Sequence, residues 1–230
     1  RAKKKKILPK AIIVVHLAGL PVNPITLFKL SKKYNFKIIE DASHSLGATY
    51  FSKKVGCGKW SDITIFSLHP VKIITTGEGG LCVTNNKKIY EQLLLFKNNG
   101  ITNNKKKFQY KRNAPWYYEQ HQLGYNFRIS EIQAALGISQ LKKLKYFIKR
   151  RNTIAKIYLK SFKNLPITTQ KVEKNFISTY HLFIIKLKNE KLHLKFFNYL
   201  RNKKIFVNLH YLPVHLHPYF KKLGFKSKSY

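Results

Sequence analysis

Short β-branched runs alternate with segments of helical period through the first hundred residues, and this rhythm constrains the fold more than any other feature. Ile-Ile-Val-Val at 12–15 is too short for a helix and has strand composition. Residues 24–34 carry apolar side chains at helical spacing behind Asn23, a residue suited to capping. Residues 37–40 (Lys-Ile-Ile-Glu) read as the next strand, 63–66 and 81–84 as two more, and 88–96 as a helix with Ile89, Leu93, Leu94 and Phe96 on one side. Strand, helix and strand in such close succession imply a mainly parallel sheet and an α/β fold.

The rhythm breaks over 101–124, where Asn, Lys, Gln and aromatic residues predict a long loop, a kind of segment that is usually functional or disordered. Ser130 then caps a long helical pattern in which Ile132, Ala135, Leu136, Ile138, Leu141 and Leu144 recur, continuing as one bent helix or two to about Leu165. Beyond Pro166, strands at 181–187 and 205–211 flanking a helix at 190–202 predict a smaller α+β domain. The expected boundary separates 1–145 from a linker helix and second domain over 146–230.

At 230 residues and 44% hydrophobic content the chain can fill a core. Absent an apolar run near the ~18 residues that span a bilayer, neither a membrane helix nor a signal peptide is expected. Cys57 and Cys82 are too few for a disulfide framework or zinc cage, which makes a reducing cytoplasm the default. The chain starts at Arg1 and contains no Met, so a piece of a longer protein is expected. The net charge of +36 raises the question of polyanion binding. However, the charge is spread along the chain, as in the basic runs at 3–6 and 105–107. Ile, Asn, Phe and Tyr, whose codons are A/T-rich like those of Lys, are abundant too. Biased base composition explains both; a selected basic surface is the alternative, but no localised footprint marks nucleic acid as a partner.

Lys72 stands apart from the other lysines. It follows the strand-like 63–66 and the string Ser-Leu-His-Pro-Val, and it precedes the turn Thr76-Gly-Glu-Gly-Gly80. A lysine so placed suggests a Schiff base, as a pyridoxal phosphate enzyme requires at the cofactor's aldehyde carbon. Such an enzyme also needs an acid against the pyridine nitrogen, and Asp41 stands at a strand's carboxyl end, where open α/β sheets bind ligands. Ser67 at another strand end can donate to a phosphate. Read singly, Asp41 and Ser67 are equally turn residues and the glycines a tight turn.

The strings Glu40-Asp-Ala-Ser-His44, Phe66-Ser-Leu-His-Pro-Val-Lys72 and Thr76-Gly-Glu-Gly-Gly80, in this order and spacing, resemble the DegT/DnrJ/EryC1/StrS sugar aminotransferases. Further strings carry the likeness through the chain: Pro115-Trp-Tyr-Tyr-Glu119, Leu123-Gly-Tyr-Asn-Phe-Arg128, Glu131-Ile-Gln-Ala-Ala-Leu136 and 208–215. These resemble the branch that makes a 4-amino-4,6-dideoxy UDP-sugar on the way to pseudaminic acid. The resemblance implies a fold-type I aminotransferase: part of a large cofactor-binding domain, then part of a smaller one.

It further implies pyridoxal 5'-phosphate as cofactor, Lys72 as the Schiff-base lysine, Asp41 as the pyridinium partner and Ser67 as a phosphate ligand. His44 falls beside the ring hydroxyl. Asn126 matches a residue that reaches the phosphate in a neighbouring subunit, which implies a homodimer with shared sites. His210, Tyr211 and His215 lie where the family contacts its sugar nucleotide. The implied substrates are a 4-keto UDP-sugar and an amino-acid donor, L-glutamate by resemblance; another nucleotide keto-sugar, or an inactive polyanion-binding fragment, is the alternative. Leu68 stands where relatives usually have Phe, and the family's Gly-Thr-Ser phosphate loop and ring-stacking aromatic have no counterpart in the chain. His210, His215 and His217 have no acidic or cysteine neighbour, so no metal is expected. Trp116, Tyr117 and Tyr118 can stack on a base or anchor their loop.

Overall fold

The computed structural model describes residues 7–110, 112 and 114–226; the basic run at 3–6 lies outside the described residues. Strand β1 (Ala11–Val15) leads through a short turn to helix α1 (Pro24–Tyr34) and back to β2 (Lys37–Asp41). Asn23 Oδ1 accepts the Ile25 amide at the start of α1, Pro24 occupies the first turn, and Asn35 ends the helix at φ 49°. β3 (Thr49–Tyr50) and β4 (Lys53–Lys54) form a small hairpin before β5 (Ile63–Ser67). β6 (Gly80–Val83) and α2 (Lys87–Phe96) follow.

The main sheet has the order β1-β2-β5-β6. The first three strands are parallel, with Val15 beside Asp41 and Asp41 beside Ile65; β6 returns antiparallel and sets Gly80 beside Ser67. The sheet is therefore mainly parallel, as the β-α-β rhythm requires. Val14 and Ile38 on one face pack with Phe36, Leu27 and Tyr34 under α1. On the opposite face Ile13 and Val15 are 66% and 49% exposed. Asp41, Ile65 and Ser67 share this open face by register and alternation.

Between β6 and the next long helix, β7 (Ile101–Thr102) pairs antiparallel with β8 (Glu119–Gln120), so the expected long loop is closed at its base by a short hairpin. α3 (Glu131–Ser161) is a single helix of 31 residues, opened by a capping box in which Ser130 and Gln133 bond each other's backbone amides. Leu144 is buried against Leu68, Ile73 and Ile74, but Ile132, Ile138 and Leu141 lie exposed. Only part of the apolar stripe in this helix is covered within the chain.

β9 (Ile167–Thr169), β10 (Phe176–Ile177) and β11 (Ile185–Leu187) precede α4 (His193–Asn202) and α5 (Pro218–Lys222). β10 joins the β3–β4 hairpin, placing Phe176 on Tyr50, and closes a core of Ala42, Ala48, Tyr50, Val55, Trp60 and Phe66. The chain forms two compact units: residues to 164 with 169–184, and residues 165–168 with 185 onward. β9 and β11 pair with each other.

Two expected strands differ from the structure. Only Ile185–Leu187 of 181–187 is a strand, because the backbone before it is bound elsewhere: Arg151 donates to the Tyr180 and His181 carbonyls, and the Leu182 amide bonds the Ala18 carbonyl. No strand forms at 205–211, where Ile205 and Val207 bond locally to Leu200 and Ile205, and the Leu209 amide takes the Asn208 side chain. No helix among the described residues is long and apolar enough to cross a membrane.

Candidate functional site

The carboxyl ends of β2 and β5 lie side by side, and the chain turns sharply after each. Asp41 closes β2, with Oδ1 accepting the Ser43 amide at 3.1 Å. That is the turn-capping role open to any aspartate here, and it uses one oxygen. Among the described residues no other hydrogen bond falls on this carboxylate, so Oδ2 can accept from a protonated ring nitrogen. Ser67 closes β5; its Oγ accepts the His69 amide at 3.4 Å and keeps its own proton to donate.

The segment carrying Lys72 is a pinned loop. The Leu68 amide bonds the Gly79 carbonyl, the Leu68 carbonyl accepts both the Thr76 amide and the Thr75 hydroxyl, and the Lys72 amide turns back onto His69. Ile73 and Ile74, next to Lys72, are buried against Leu144 of α3. At Gly137 in α3 a Cβ would stand 2.8 Å from Thr76 Cγ2, so glycine permits the helix to lie close against this loop. Lys72 itself is half-buried and makes no ion pair among the described residues. The backbone is fixed while the amine stays available, as a covalent anchor for a cofactor requires. Carboxylate, hydroxyl and amine are thus the kinds of group that pyridoxal phosphate requires.

His44 follows on the β2 side. Its Nδ1 accepts the Ala18 amide at 3.2 Å, its ring packs on His181 at 4.3 Å between centroids, and its carbonyl takes the Thr179 hydroxyl. Asn126 is exposed, in a segment bound to the end of α2: its backbone bridges Asn98, the Asn99 amide bonds the Tyr125 carbonyl, and the Phe127 amide bonds the Lys97 carbonyl. Its side chain has no hydrogen bond among the described residues. Leu123, Tyr125, Phe127 and Ile132 around it are exposed in the chain.

His210, Tyr211 and His215 belong to the second unit, where the His210 and Tyr211 rings pack at 4.3 Å and His215 sits in a single helical turn at Val214–Leu216. Of the loop aromatics, Tyr117 is an anchor: its hydroxyl bonds Glu119 and its ring meets Phe108 edge-on, whereas Trp116 and Tyr118 are exposed.

Two acidic hubs escape a reading of sequence strings. Glu40, 2% exposed, accepts Tyr50 at 2.9 Å, Ser61 at 2.8 Å and Thr64 at 2.6 Å, with His16 Nε2 3.4 Å away. Burial pushes its carboxyl up, but the contact with His16 and the Thr64 and Ser61 hydroxyls outweigh this and hold it below the usual range. Glu119, nearly buried, takes the amides of Gln109 and Tyr110, the Tyr117 hydroxyl and His121 Nε2, and organises the loop. Burial again opposes ionisation, and these bonds, the Gln109 amide first, lower its pKa to about 2. The available signal was scarcity: in a chain with nine acidic residues, each one that survives is informative.

The Campylobacter jejuni UDP-4-amino-4,6-dideoxy-N-acetyl-beta-L-altrosamine transaminase is 41% identical over 216 residues, which are 93% of this chain and 54% of that protein. The structure of Helicobacter pylori PseC, an aminotransferase involved in the biosynthesis of pseudoaminic acid, superposes with a TM-score of 0.81 at 32% identity, covering 95% of this chain and 58% of PseC. The PLP form of the putative sugar aminotransferase Spr1654 from Streptococcus pneumoniae gives 0.83 at 26% identity over 96% of this chain and 59% of that one. The chain spans little more than half the length of these relatives. The profile of one family matches residues 2–229, and the chain belongs to that family, the DegT/DnrJ/EryC1/StrS aminotransferases.

Proposed function

We propose that the protein to which this chain belongs transfers an amino group from an amino-acid donor, L-glutamate in the family reading, to a 4-keto-6-deoxy UDP-N-acetyl-hexosamine, with pyridoxal 5'-phosphate as cofactor. The observation that carries the reading is the half-buried Lys72, held on a rigid loop beside the adjoining strand ends that bear Asp41 and Ser67. Family membership and the likeness to the altrosamine transaminase support the substrate class. When bound, the cofactor supplies the electron sink that stabilises negative charge at the carbon losing a proton.

The chain's own residues then have separate tasks. Lys72 Nζ holds the cofactor and carries the proton between carbon atoms. Asp41 Oδ2 accepts from the ring nitrogen and keeps it protonated, while Oδ1 remains committed to the Ser43 amide. The Ser67 hydroxyl donates to the phosphate, and His44 stands by the ring hydroxyl. Asn126 serves the site of a second copy, in keeping with the exposed Leu123, Tyr125, Phe127 and Ile132, a surface suited to a homodimer interface. His210, Tyr211 and His215 contact the sugar nucleotide. A reducing cytoplasm holds the enzyme and its substrates.

Incubation with excess PLP tests the cofactor reading. The chain should gain a visible absorption band distinct from that of free PLP, and Lys72→Ala should remove it. A band unchanged in Lys72→Ala would assign the colour to other lysines and defeat the reading.

A further inference from the structure

Thr76 follows Lys72 by four residues, is 2% exposed, and has both its donors committed. Its amide donates to the Leu68 carbonyl at 3.0 Å and its hydroxyl to the Glu78 carbonyl at 2.6 Å. Each branch of the side chain then meets a glycine. On the hydroxyl side a Cβ at Gly79 would run into Thr76 Oγ1, and on the methyl side a Cβ at Gly137 would stand 2.8 Å from Cγ2. Turning the side chain to another rotamer would break the bond to Glu78, so Thr76 cannot yield by rotation.

Gly137 lies inside α3 with a helical backbone, where alanine would be the better helix former, so its missing side chain serves space and not conformation. One turn earlier on the helix, Gln133 Nε2 donates at 3.1 Å to the same Glu78 carbonyl that Thr76 uses. Two turns after Gly137, Leu144 packs on Ile73 and Ile74. The bonds that Leu68 makes to Gly79, Thr75 and Thr76 set the shape of the Lys72 loop, and its distance from α3 is left to side chains. Leu144, Ile73 and Ile74 are apolar and can repack, whereas the wedge of Thr76 is rigid.

We infer that Thr76, slotted between Gly79 and Gly137, is a positioning residue: it sets the spacing between α3 and the loop, and with it the placement of the Lys72 amine against the adjoining ends of β2 and β5. The inference rests on the cofactor reading above for the purpose of that placement, but the slot itself is a property of the chain without cofactor.

Overfilling the slot and then relieving it tests this, with two readouts on the full chain: hydrogen exchange of the Thr76 amide without cofactor, and the share of borohydride-fixed PLP found on Lys72 at one equivalent. In Gly137→Ala the Thr76 amide should exchange about tenfold faster, as overpacking predicts, and label should shift from Lys72 to other lysines. Adding Thr76→Ser deletes the methyl and keeps the hydroxyl, so the double variant should recover both values. Thr76→Ala, which empties the slot, should act in the same direction as Gly137→Ala and replaces it should that variant not fold. Unchanged exchange and unchanged Lys72 share in folded Gly137→Ala or Thr76→Ala would show that the other contacts suffice, and this overturns the inference. Failure of Thr76→Ser to rescue Gly137→Ala overturns it too. Exchange that follows the prediction in a chain whose wild type never directs PLP to Lys72 leaves the slot standing, and defeats the cofactor reading together with the positioning role.

Discussion

The Tyr50 phenol donates to the Glu40 carboxylate at 2.9 Å, and neither residue is reached by solvent to any useful extent. This bond joins the core around β3 to β2, one residue before Asp41. Removing a donor from a buried carboxylate costs more than the bond itself, because the charge loses its compensation. Tyr50→Phe should lower unfolding free energy by about 1–3 kcal/mol in urea titration. Burial, and next the charge of Glu40, push the Tyr50 phenol above its ordinary value of 10.0. The native state therefore holds a proton that the unfolded chain releases, so stability should fall as pH rises past 10.0, with a weaker fall in Tyr50→Phe.

Glu119 gives a dependence of opposite sense. Its folded pKa of about 2 lies below the unfolded value of 4.5, so the unfolded chain takes up a proton first as pH falls. The order that Glu119 imparts should be full above 4.5 and be lost on the way down to about 2. Hydrogen exchange at the Gln109 and Tyr110 amides, which it accepts, reads this directly. In Glu119→Gln both amides should exchange faster at neutral pH, and the acid transition should vanish. Unchanged protection in that variant would show that the loop is held by other contacts.

The exposed face of α3 is open to a direct test. Ile132 is 85% exposed in the chain, so Ile132→Asp should leave the helical signal intact. If that face joins two copies, sedimentation should show wild-type dimers and mutant monomers. Mutant and wild type of equal mass in solution would remove the surface from the dimer interface.

The sequence disclosed those elements whose causes are local. α1 and α3 were legible because Asn23 and Ser130 cap them and their apolar spacing is their own, and β1, β2 and β5 because each is a short apolar run rich in β-branched residues. β3, β4 and β10 were not legible, since each has two residues and Phe176 finds Tyr50 only in the folded chain. The strand expected over 205–211 has suitable residues, yet its amides close local turns instead. At the site, Lys72, Asp41, His44 and Ser67 could be named from their strings, whereas the role of Glu40 depends on Tyr50, Ser61, Thr64 and His16, which no string links.

The assignment of Lys72 is the claim on which the rest depends, and the chain's 45 lysines and arginines supply its strongest rival, indiscriminate reaction of PLP with surface amines. Treatment of the PLP-loaded chain with borohydride, digestion and mass mapping decides between them. At one equivalent of PLP, the predicted result is a pyridoxyl adduct confined to the peptide bearing Lys72. Label spread over many lysines, with Lys72 no more modified than the rest, would contradict it.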